Sequence, residues 1–142
     1  MIIMNNNIQY MIKLNELGDE RGGLVVIEED DLLVPFPIKR VFYEYNTACD
    51  ITRGNHANKN SKFAMVSISG YCTIEIDDGK DKKKYKLDSP LKLLIVDKMT
   101  WKIMKEFSKD NILLVLSDHK YDGSEYITDY DEFLTLSQGE KI

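Results

Sequence analysis

Residues 71–87, YCTIEIDDGKDKKKYKL, give the clearest indication of the fold class of this chain. In its first half, apolar residues at 72, 74 and 76 alternate with polar residues at 73, 75 and 77, which is the period of a strand with one buried face. Asp78 and Gly79 then form a pair typical of hairpin turns, and a second short strand follows. The lysines at 82–84 are best explained as an exposed hairpin end, and a phosphate site there is the weaker alternative. The stretch therefore predicts a β-hairpin.

Short runs of the same kind flank this hairpin on both sides, with no helical pattern between them. In chain order they are GLVVIEE (23–29), KRVFYEY (39–45), KFAMVSIS (62–69), KLLIVD (92–97), TWKIM (100–104) and ILLVLS (112–117). Pro35 and Pro37 fit a loop before the second of these runs, because proline cannot donate to a strand ladder. Many short strands separated by turn residues predict an antiparallel β-sandwich or barrel.

Only the C-terminal stretch DGSEYITDYDEFLTL (122–136) has a helical pattern. Tyr126, Tyr130, Phe133 and Leu134 fall on one face, with acidic residues on the other. The simplest interpretation is a short helix that covers the sheet or a partner subunit.

The composition is that of one soluble globular domain of 142 residues, with 43% hydrophobic and 30% charged residues. The net charge of −5 argues against nucleic acid or an anionic membrane as a partner, because both attract basic proteins. No apolar run has the length of a bilayer span, and the N-terminal stretch lacks the features of a signal peptide. The two cysteines, Cys49 and Cys72, form neither a disulfide framework nor a CxxC pair. We therefore expect a single domain over residues 1–142 in the cytoplasm.

Arginine is rare in this chain, which has 16 lysines but only Arg21, Arg40 and Arg53. Where lysine provides the general surface charge, the few arginines are candidates for planar, two-bond recognition of phosphate or carboxylate. The alternative is that all three are ordinary surface or ion-paired residues, and composition alone favours that alternative.

The stretch RGNHANK (53–59) is predicted to be extended, which places His56 and Asn58 on one face of a strand. A lone histidine in a sheet is more often structural than catalytic. A cupin-type metal centre needs a His-x-His pair, a glutamate and a later histidine. Here Asn58 occupies the second position and the later strand has no histidine, so we expect no metal site.

Seven segments in order along the chain resemble the sugar 3,4-ketoisomerase family, the WxcM-like or FdtA-like cupins that act on dTDP-4-keto-6-deoxyglucose. They are LGDERGGLVVIEE (17–29), PFPIKRVFY (35–43), RGNHANK (53–59), YCTIEIDDG (71–79), LDSP (87–90), ILLVLSDHKYD (112–122) and SEYITDYDEFL (124–134). The resemblance runs from about Leu17 to Leu134. It implies an all-β, cupin-type jelly-roll barrel with a short C-terminal helix, free of metal and cofactor. It also implies a homodimer with exchanged strands and a place in making 3-amino-3,6-dideoxyhexoses for surface glycans such as O-antigen.

The reaction of this family moves a carbonyl from carbon 4 to carbon 3 of the sugar, through an enediolate. A base must take the proton from carbon 3, and a neutral imidazole suits that role because its pKa lies near neutral pH. The family motif is Arg-Gly-x-His-x-His-Lys. Arg53, Gly54, His56 and Lys59 match it, whereas Asn58 replaces the second histidine and cannot exchange a proton at neutral pH.

Two further departures concern the same site. A glutamine usual in the family falls at Lys62 or Phe63, and its tryptophan-histidine-glutamate-methionine stretch is WKIM at 101–104. The resemblance implies His56 as the catalytic residue. It also implies a set of residues that bind a dTDP-linked keto-deoxysugar: Arg21, Arg40, Arg53, Asn58, Lys59, Trp101 and Lys102.

Two hypotheses of different classes follow. In the first, the protein is a working isomerase in which His56 is the base and Lys102, a tyrosine or water returns the proton. In the second, it is a nucleotide-sugar-binding cupin that has lost isomerisation and has a binding or regulatory role. We favour the enzyme, because His56, Trp101 and all three arginines are present.

Overall fold

The computed structural model of the chain describes residues 9–29 and 33–139. Residues 1–8, 30–32 and 140–142 lie outside the described residues. These residues include most of the N-terminal stretch discussed above and both ends of the predicted domain. The described part contains a 3-10 turn at Gly123–Glu125 and the following strands and helix: β1 (Gln9–Lys13), β2 (Arg40–Tyr45), β3 (Arg53–Asn58), β4 (Phe63–Ser69), β5 (Cys72–Asp77), β6 (Lys82–Leu87), β7 (Lys92–Val96), β8 (Trp101–Lys105), β9 (Ile112–Ser117), β10 (Tyr126–Ile127) and α1 (Tyr130–Gly139).

The strands form two five-stranded antiparallel sheets. The first sheet has the order β1-β7-β4-β9-β2, and the second has the order β10-β3-β8-β5-β6. Consecutive strands alternate between the sheets from β2 to β5 and again from β6 to β10, as in a jelly roll. The predicted fold class, a cupin-type jelly roll with a short C-terminal helix, is confirmed.

The main core lies between the two sheets, where the inward-facing side chains of both meet. It is formed by Phe63, Met65, Cys72, Ile74, Ile76, Leu87, Leu94, Val96, Met104, Phe107, Leu113 and Val115. A second apolar layer covers the outer face of the first sheet, and α1 covers the outer face of the second sheet through Phe133. Both sheets are therefore buried on two faces over part of their length.

The predicted hairpin is confirmed. β5 pairs with β6 from Cys72 opposite Leu87 to Asp77 opposite Lys82. In the loop between them, Asp78 Oδ1 accepts hydrogen bonds from the backbone amides of Lys80 and Asp81 at 2.8 and 2.9 Å. Residues 82–84 are exposed, as the sequence predicted.

The stretch at 23–29 is not a strand, contrary to the prediction. Its described residues make only one isolated bridge, from Glu29 to Val34. Val25 and Ile27 instead pack on the outer face of the first sheet. The alternating apolar residues of this stretch therefore cover the first sheet and do not add a strand to it.

The C-terminal helix is also shorter than predicted, because it begins at Tyr130. Tyr126 and Ile127 form β10, in which they pair with Asn58 and Ala57 of β3. The placement of Tyr126 on a helix was therefore wrong. No helix among the described residues is long and apolar enough to cross a membrane.

Candidate active site

A cavity of about 290 Å³ opens between the two sheets where β2, β3, β4, β8 and β10 meet. It is lined by Phe42, Tyr43, Glu44, Arg53, Gly54, His56, Phe63, Met65, Lys102, Met104 and Tyr126. A hollow of about 310 Å³ near Tyr45 and Asp110 is slightly larger but is lined by no imidazole and no cation. The cavity between the sheets combines the imidazole of His56 with the cations of Arg53 and Lys102, so chemistry and not size identifies the candidate site.

His56 lies on β3 with its side chain half-buried in this cavity. Its Nδ1 lies 3.0 Å from the carbonyl oxygen of Gly54. Because a carbonyl can only accept, Nδ1 carries the proton of the neutral ring, and Nε2 keeps a lone pair that can accept one. The ring also packs against Tyr126, with the ring centres 4.7 Å apart. His56 is thus held in the tautomer with the proton on Nδ1, which lets Nε2 act as a base.

The surroundings of His56 also favour its neutral form. Burial lowers the pKa of His56 below its ordinary value of 6.5, and the charge of Lys102 lowers it further. The hydrogen bond to Gly54 and the carboxylate of Glu125 act in the opposite direction but do not outweigh these effects. At neutral pH the imidazole is therefore ready to accept a proton.

Gly54 allows β3 to approach β8 closely beside His56. Its φ is +82°, and a Cβ at this position would lie 2.8 Å from the backbone oxygen of Lys102. The register between β3 and β8 shifts between Gly54 and His56, so the backbone bulges at this point. The motif glycine is therefore needed to place both His56 and the carbonyl that binds it.

Lys102 is the most deeply buried cation of the cavity, with only 1% of its surface exposed. Its Nζ donates to the carbonyl of Thr100 at 3.0 Å and to Oδ1 of Asn58 at 3.2 Å, and it lies 4.9 Å from the centre of the Phe63 ring. Among the carboxylates of residues 9–29 and 33–139, none lies within ion-pair distance of it. Burial lowers the pKa of Lys102 from 10.5 to about 7, although Glu125 opposes this shift.

Glu125 and Asn58 form the polar layer behind Lys102. The carboxylate of Glu125 accepts hydrogen bonds from the amides of Asn60 and Ser61, both at 2.9 Å, and from the Ser61 hydroxyl. Burial raises the pKa of Glu125, but these hydrogen bonds outweigh it and the pKa is lowered overall. Asn58 is fully buried. In this layer the carboxylate of Glu125 remains ionised, and the neutral carboxamide of Asn58 lies between it and Lys102.

Arg53 and Glu44 lie at the rim of the cavity. Arg53 is 45% exposed, and its Nε lies 3.4 Å from Oε1 of Glu44, which is only 12% exposed. Burial raises the pKa of the Glu44 carboxyl, and Arg53 partly offsets this. Sequence reasoning missed Glu44, although the alternation of β2 gives a signal for it, since Arg40, Phe42 and Glu44 share one face.

Arg40 borders the cavity on the side of the first sheet. Its Nη1 lies 3.5 Å from the hydroxyl of Tyr126, and its Nη2 lies 3.5 Å from the hydroxyl of Ser117. The guanidinium also lies 5.9 Å from the centres of the Phe63 and Tyr121 rings. Two guanidinium groups, those of Arg40 and Arg53, therefore lie at the cavity and can bind an anion that enters it.

The comparison with known proteins agrees with this arrangement. Residues 6–138 match the model of the family described as FdtA: WxcM-like, C-terminal. The chain belongs to the FdtA family. This confirms the resemblance seen in the sequence.

Several relatives of this FdtA-family protein are named for one reaction. It is 39% identical to the TDP-4-oxo-6-deoxy-alpha-D-glucose-3,4-oxoisomerase of Aneurinibacillus thermoaerophilus, over 87% of this chain and 88% of that protein. It is 45% identical to the solved structure of WlaRA, a TDP-fucose-3,4-ketoisomerase of Campylobacter jejuni, with a TM-score of 0.85 over 91% of this chain and 95% of that one. It is 30% identical to QdtA of Thermoanaerobacterium thermosaccharolyticum, with a TM-score of 0.88 over 96% of this chain and 97% of that one. That structure is of a histidine-to-asparagine mutant in complex with TDP-4-keto-6-deoxyglucose.

The structure brings some of the predicted site residues of this FdtA-family protein together and not others. His56, Arg53 and Lys102 line the cavity, and Arg40 borders it. Asn58 shares the strand face of His56, but it is fully buried and contacts Lys102 instead of lining the cavity. Asn58 is therefore not placed to contact a sugar directly.

Three predicted substrate-binding residues lie away from the cavity. Arg21 is in the loop before β2, where its side chain is 85% exposed and ion-paired with Asp19. Trp101 faces outward from β8, where its ring packs against Tyr130 beneath α1 with the ring centres 5.2 Å apart. Lys59 is exposed at the end of β3. Strand alternation explains why Trp101 faces outward: it is the neighbour of Lys102 on β8, and Lys102 faces the cavity.

No group of three or more histidine, cysteine, aspartate or glutamate side chains is arranged to hold a metal ion in the part of the chain that the structure describes. His56 is the cavity's one imidazole among those residues, and Cys72 is buried in the core.

Proposed function

We propose that the protein is a 3,4-ketoisomerase that moves the carbonyl of a TDP-linked 4-keto-6-deoxyhexose from carbon 4 to carbon 3. The observation that carries this proposal is the state of His56, whose Nδ1 is bound by Gly54 and whose Nε2 is available in a cavity bordered by two guanidinium groups. The names of the relatives support the same reaction and the same class of substrate.

His56 performs the first step of this reaction. The ketone at carbon 4 acidifies the proton at carbon 3, and Nε2 of His56 removes it to give an enediolate. Because the pKa of His56 is lowered, the base is unprotonated at neutral pH. The growing negative charge on the carbon-4 oxygen needs a cation or donor nearby, and Lys102 lines the same cavity.

Arg40 and Arg53 hold the diphosphate of the substrate. Guanidinium groups bind phosphate oxygens through two parallel bonds, and Arg53 makes only long contacts in the free protein, at 3.4 Å to Glu44 and to Thr47. The arginines fix the nucleotide end of the substrate, so the sugar can reach His56.

A homodimer is part of this proposal, formed by a second copy of the chain at the edge of the first sheet. β2 is an edge strand, and its side chains Val41, Tyr43 and Tyr45 are 56%, 62% and 58% exposed. An unpaired edge with apolar side chains is a surface that another strand covers. Light scattering should show a dimer, and Val41→Asp should shift it towards the monomer; a monomeric unmodified protein would contradict this.

The 3-keto product is suited to amination at carbon 3, which supports a place in making 3-amino-3,6-dideoxyhexoses for surface glycans. A cytoplasmic location is also proposed, supported by the unpaired state of both cysteines, Cys49 and Cys72.

One observation favours a second candidate function. Asn58 occupies the place of the second histidine of the family motif, and its carboxamide cannot act as an acid or a base at neutral pH. A protein that binds the nucleotide sugar without isomerising it would retain the arginines and the fold. Its role would be binding or regulation.

One experiment separates the two functions. Purified protein and TDP-4-keto-6-deoxyglucose are incubated in deuterated water, and the sugar is followed by NMR while TDP binding is measured by calorimetry. We expect a 3-keto sugar to form. Binding of TDP without any product would favour the second function and contradict the first.

A further inference from the structure

Two of the departures from the family pattern, Asn58 and Lys102, are in contact with each other. Lys102 Nζ donates to Asn58 Oδ1 at 3.2 Å, and both side chains are buried. We infer that Lys102 is the second proton carrier of the isomerisation, in place of the missing histidine, and that Asn58 is its positioning residue. This inference rests on the proposed function and names a second residue for it.

Lys102 is placed to act on the same sugar as His56. The two residues are direct partners across β3 and β8, and both line the cavity. Directly opposite side chains in antiparallel strands have Cβ atoms about 4.5–5.5 Å apart. A single six-membered ring can therefore contact both groups at adjacent carbon atoms.

The hydrogen bonds of Lys102 leave it one donor for the substrate. An ammonium has three N–H groups, and two of them are used by the Thr100 carbonyl and by Asn58. Both partners are neutral, so they orient Nζ without the strong stabilisation of charge that a carboxylate gives. An aspartate in place of Asn58 would fix Lys102 in its charged form.

The charged and titratable groups around Lys102 come from four elements. His56 and Arg53 lie on β3, Tyr43 and Glu44 lie on β2, Tyr126 lies on β10, and Glu125 lies in the 3-10 turn. Burial exceeds the effect of Glu125 and brings the pKa of Lys102 to about 7. The amine can therefore both give and take a proton near neutral pH, which an ordinary surface lysine does not do.

The proton balance of the reaction closes with these two groups. His56 Nε2 takes the proton from carbon 3, and the electron pair of that C–H bond forms a double bond between carbon 3 and carbon 4. The electron pair of the carbonyl π bond moves to the carbon-4 oxygen, which takes a proton from the Lys102 ammonium. Neutral Lys102 then takes the proton of the carbon-3 hydroxyl, and that O–H pair forms the new carbonyl. The double-bond pair takes a proton at carbon 4 from the His56 imidazolium. Both residues return to their starting forms.

Substitutions at Lys102 test this assignment. Lys102→Arg keeps a positive charge but cannot lose a proton, and Lys102→Met removes the charge. We expect both to reduce product formation by about 10²–10⁴-fold, the usual contribution of a positioned acid–base group. Thermal unfolding and TDP binding identify variants that remain folded. The matched control is Lys105→Met on the same strand, whose Nζ contacts Glu75 at 2.9 Å and does not line the cavity; it should keep the activity of the unmodified protein.

The pH profile provides a readout that a structural role would not change. In the unmodified protein, kcat/KM should rise as His56 loses its proton and fall as Lys102 loses its proton near pH 7. The falling limb should disappear in Lys102→Arg. It should move to higher pH in Asn58→Asp, because the new carboxylate raises the pKa of Lys102.

The outcomes separate this inference from the proposed function. If the unmodified protein forms no product, the proposed function fails. If the unmodified protein is active but Lys102→Arg is equally active, or the falling limb stays in place in Asn58→Asp, then Lys102 is not a proton carrier, and the proposed function stands without it.

Discussion

Replacing Gly54 by alanine should destabilise the protein and impair the cavity at the same position. At φ +82° a residue with a Cβ is strained, by about 1–3 kcal/mol. The added Cβ would also lie 2.8 Å from the backbone oxygen of Lys102, and relief of such a clash costs a further ~1–3 kcal/mol. We therefore expect Gly54→Ala to lower the free energy of unfolding by about 2–6 kcal/mol.

The matched control for this substitution is Gly22→Ala. Gly22 also has a positive φ, +135°, but no atom lies within 4 Å of its added Cβ. It should therefore cost only the strain of the backbone, about 1–3 kcal/mol. The difference between the two variants in the loss of unfolding free energy therefore measures the cost of the clash between β3 and β8.

The assay is denaturant unfolding of both variants, combined with the rate at which carbon-3 protons exchange with solvent. Gly54→Ala should also slow the exchange by up to about tenfold, because the carbonyl that binds His56 is displaced and such a hydrogen bond contributes about 0.5–1.5 kcal/mol. Equal losses of stability in the two variants would refute the argument that this glycine is required by the contact with Lys102.

Three further predictions concern binding, metal content and packing. Arg53→Ala should weaken TDP binding in calorimetry by ~1.5–3 kcal/mol, whereas Arg21→Ala should leave it unchanged; equal effects would contradict the placement of the diphosphate. Elemental analysis should find no stoichiometric zinc, iron or manganese, and one equivalent that is lost in His56→Ala would refute this. Trp101→Ala should cost about 3–5 kcal/mol in denaturant unfolding, because the ring packs beneath α1. That variant should retain its affinity for TDP, and a loss of TDP affinity would indicate that Trp101 belongs to the binding site.

The sequence predicted β2 to β9, where apolar runs or alternating residues are bounded by turn residues, but it did not predict β1 or β10. The hairpin at 71–87 is an example, because its alternation and its Asp-Gly turn both indicate the same structure. The run at 23–29 failed for a physical reason. Val25 and Ile27 pack on a sheet from outside, and apolar residues that do so can have the same spacing as those within a strand.

The candidate site was predicted in part. The family resemblance led to His56, Arg53 and Lys102, which the structure brings together in one cavity. Tyr126 and Glu44 were missed as site residues, because Tyr126 fits a helical pattern equally well and Glu44 resembles the exposed acids of other strands. The contact between Asn58 and Lys102 joins residues 44 positions apart, and only the pairing of β3 with β8 brings them together.

The isomerase proposal is tested by deuterium incorporation from deuterated water, read at carbon 4 of the 3-keto product and at carbon 3 of the recovered TDP-4-keto-6-deoxyglucose, for the unmodified protein and for His56→Ala. His119→Ala is the matched control, since His119 is the second of two histidines in the chain and its exposed side chain contacts Asp118 at 2.8 Å. We expect the unmodified protein and His119→Ala to incorporate deuterium. We expect His56→Ala to bind TDP but to lose incorporation by about 10²–10⁴-fold. Incorporation by folded His56→Ala at the rate of the unmodified protein would show that another group is the base.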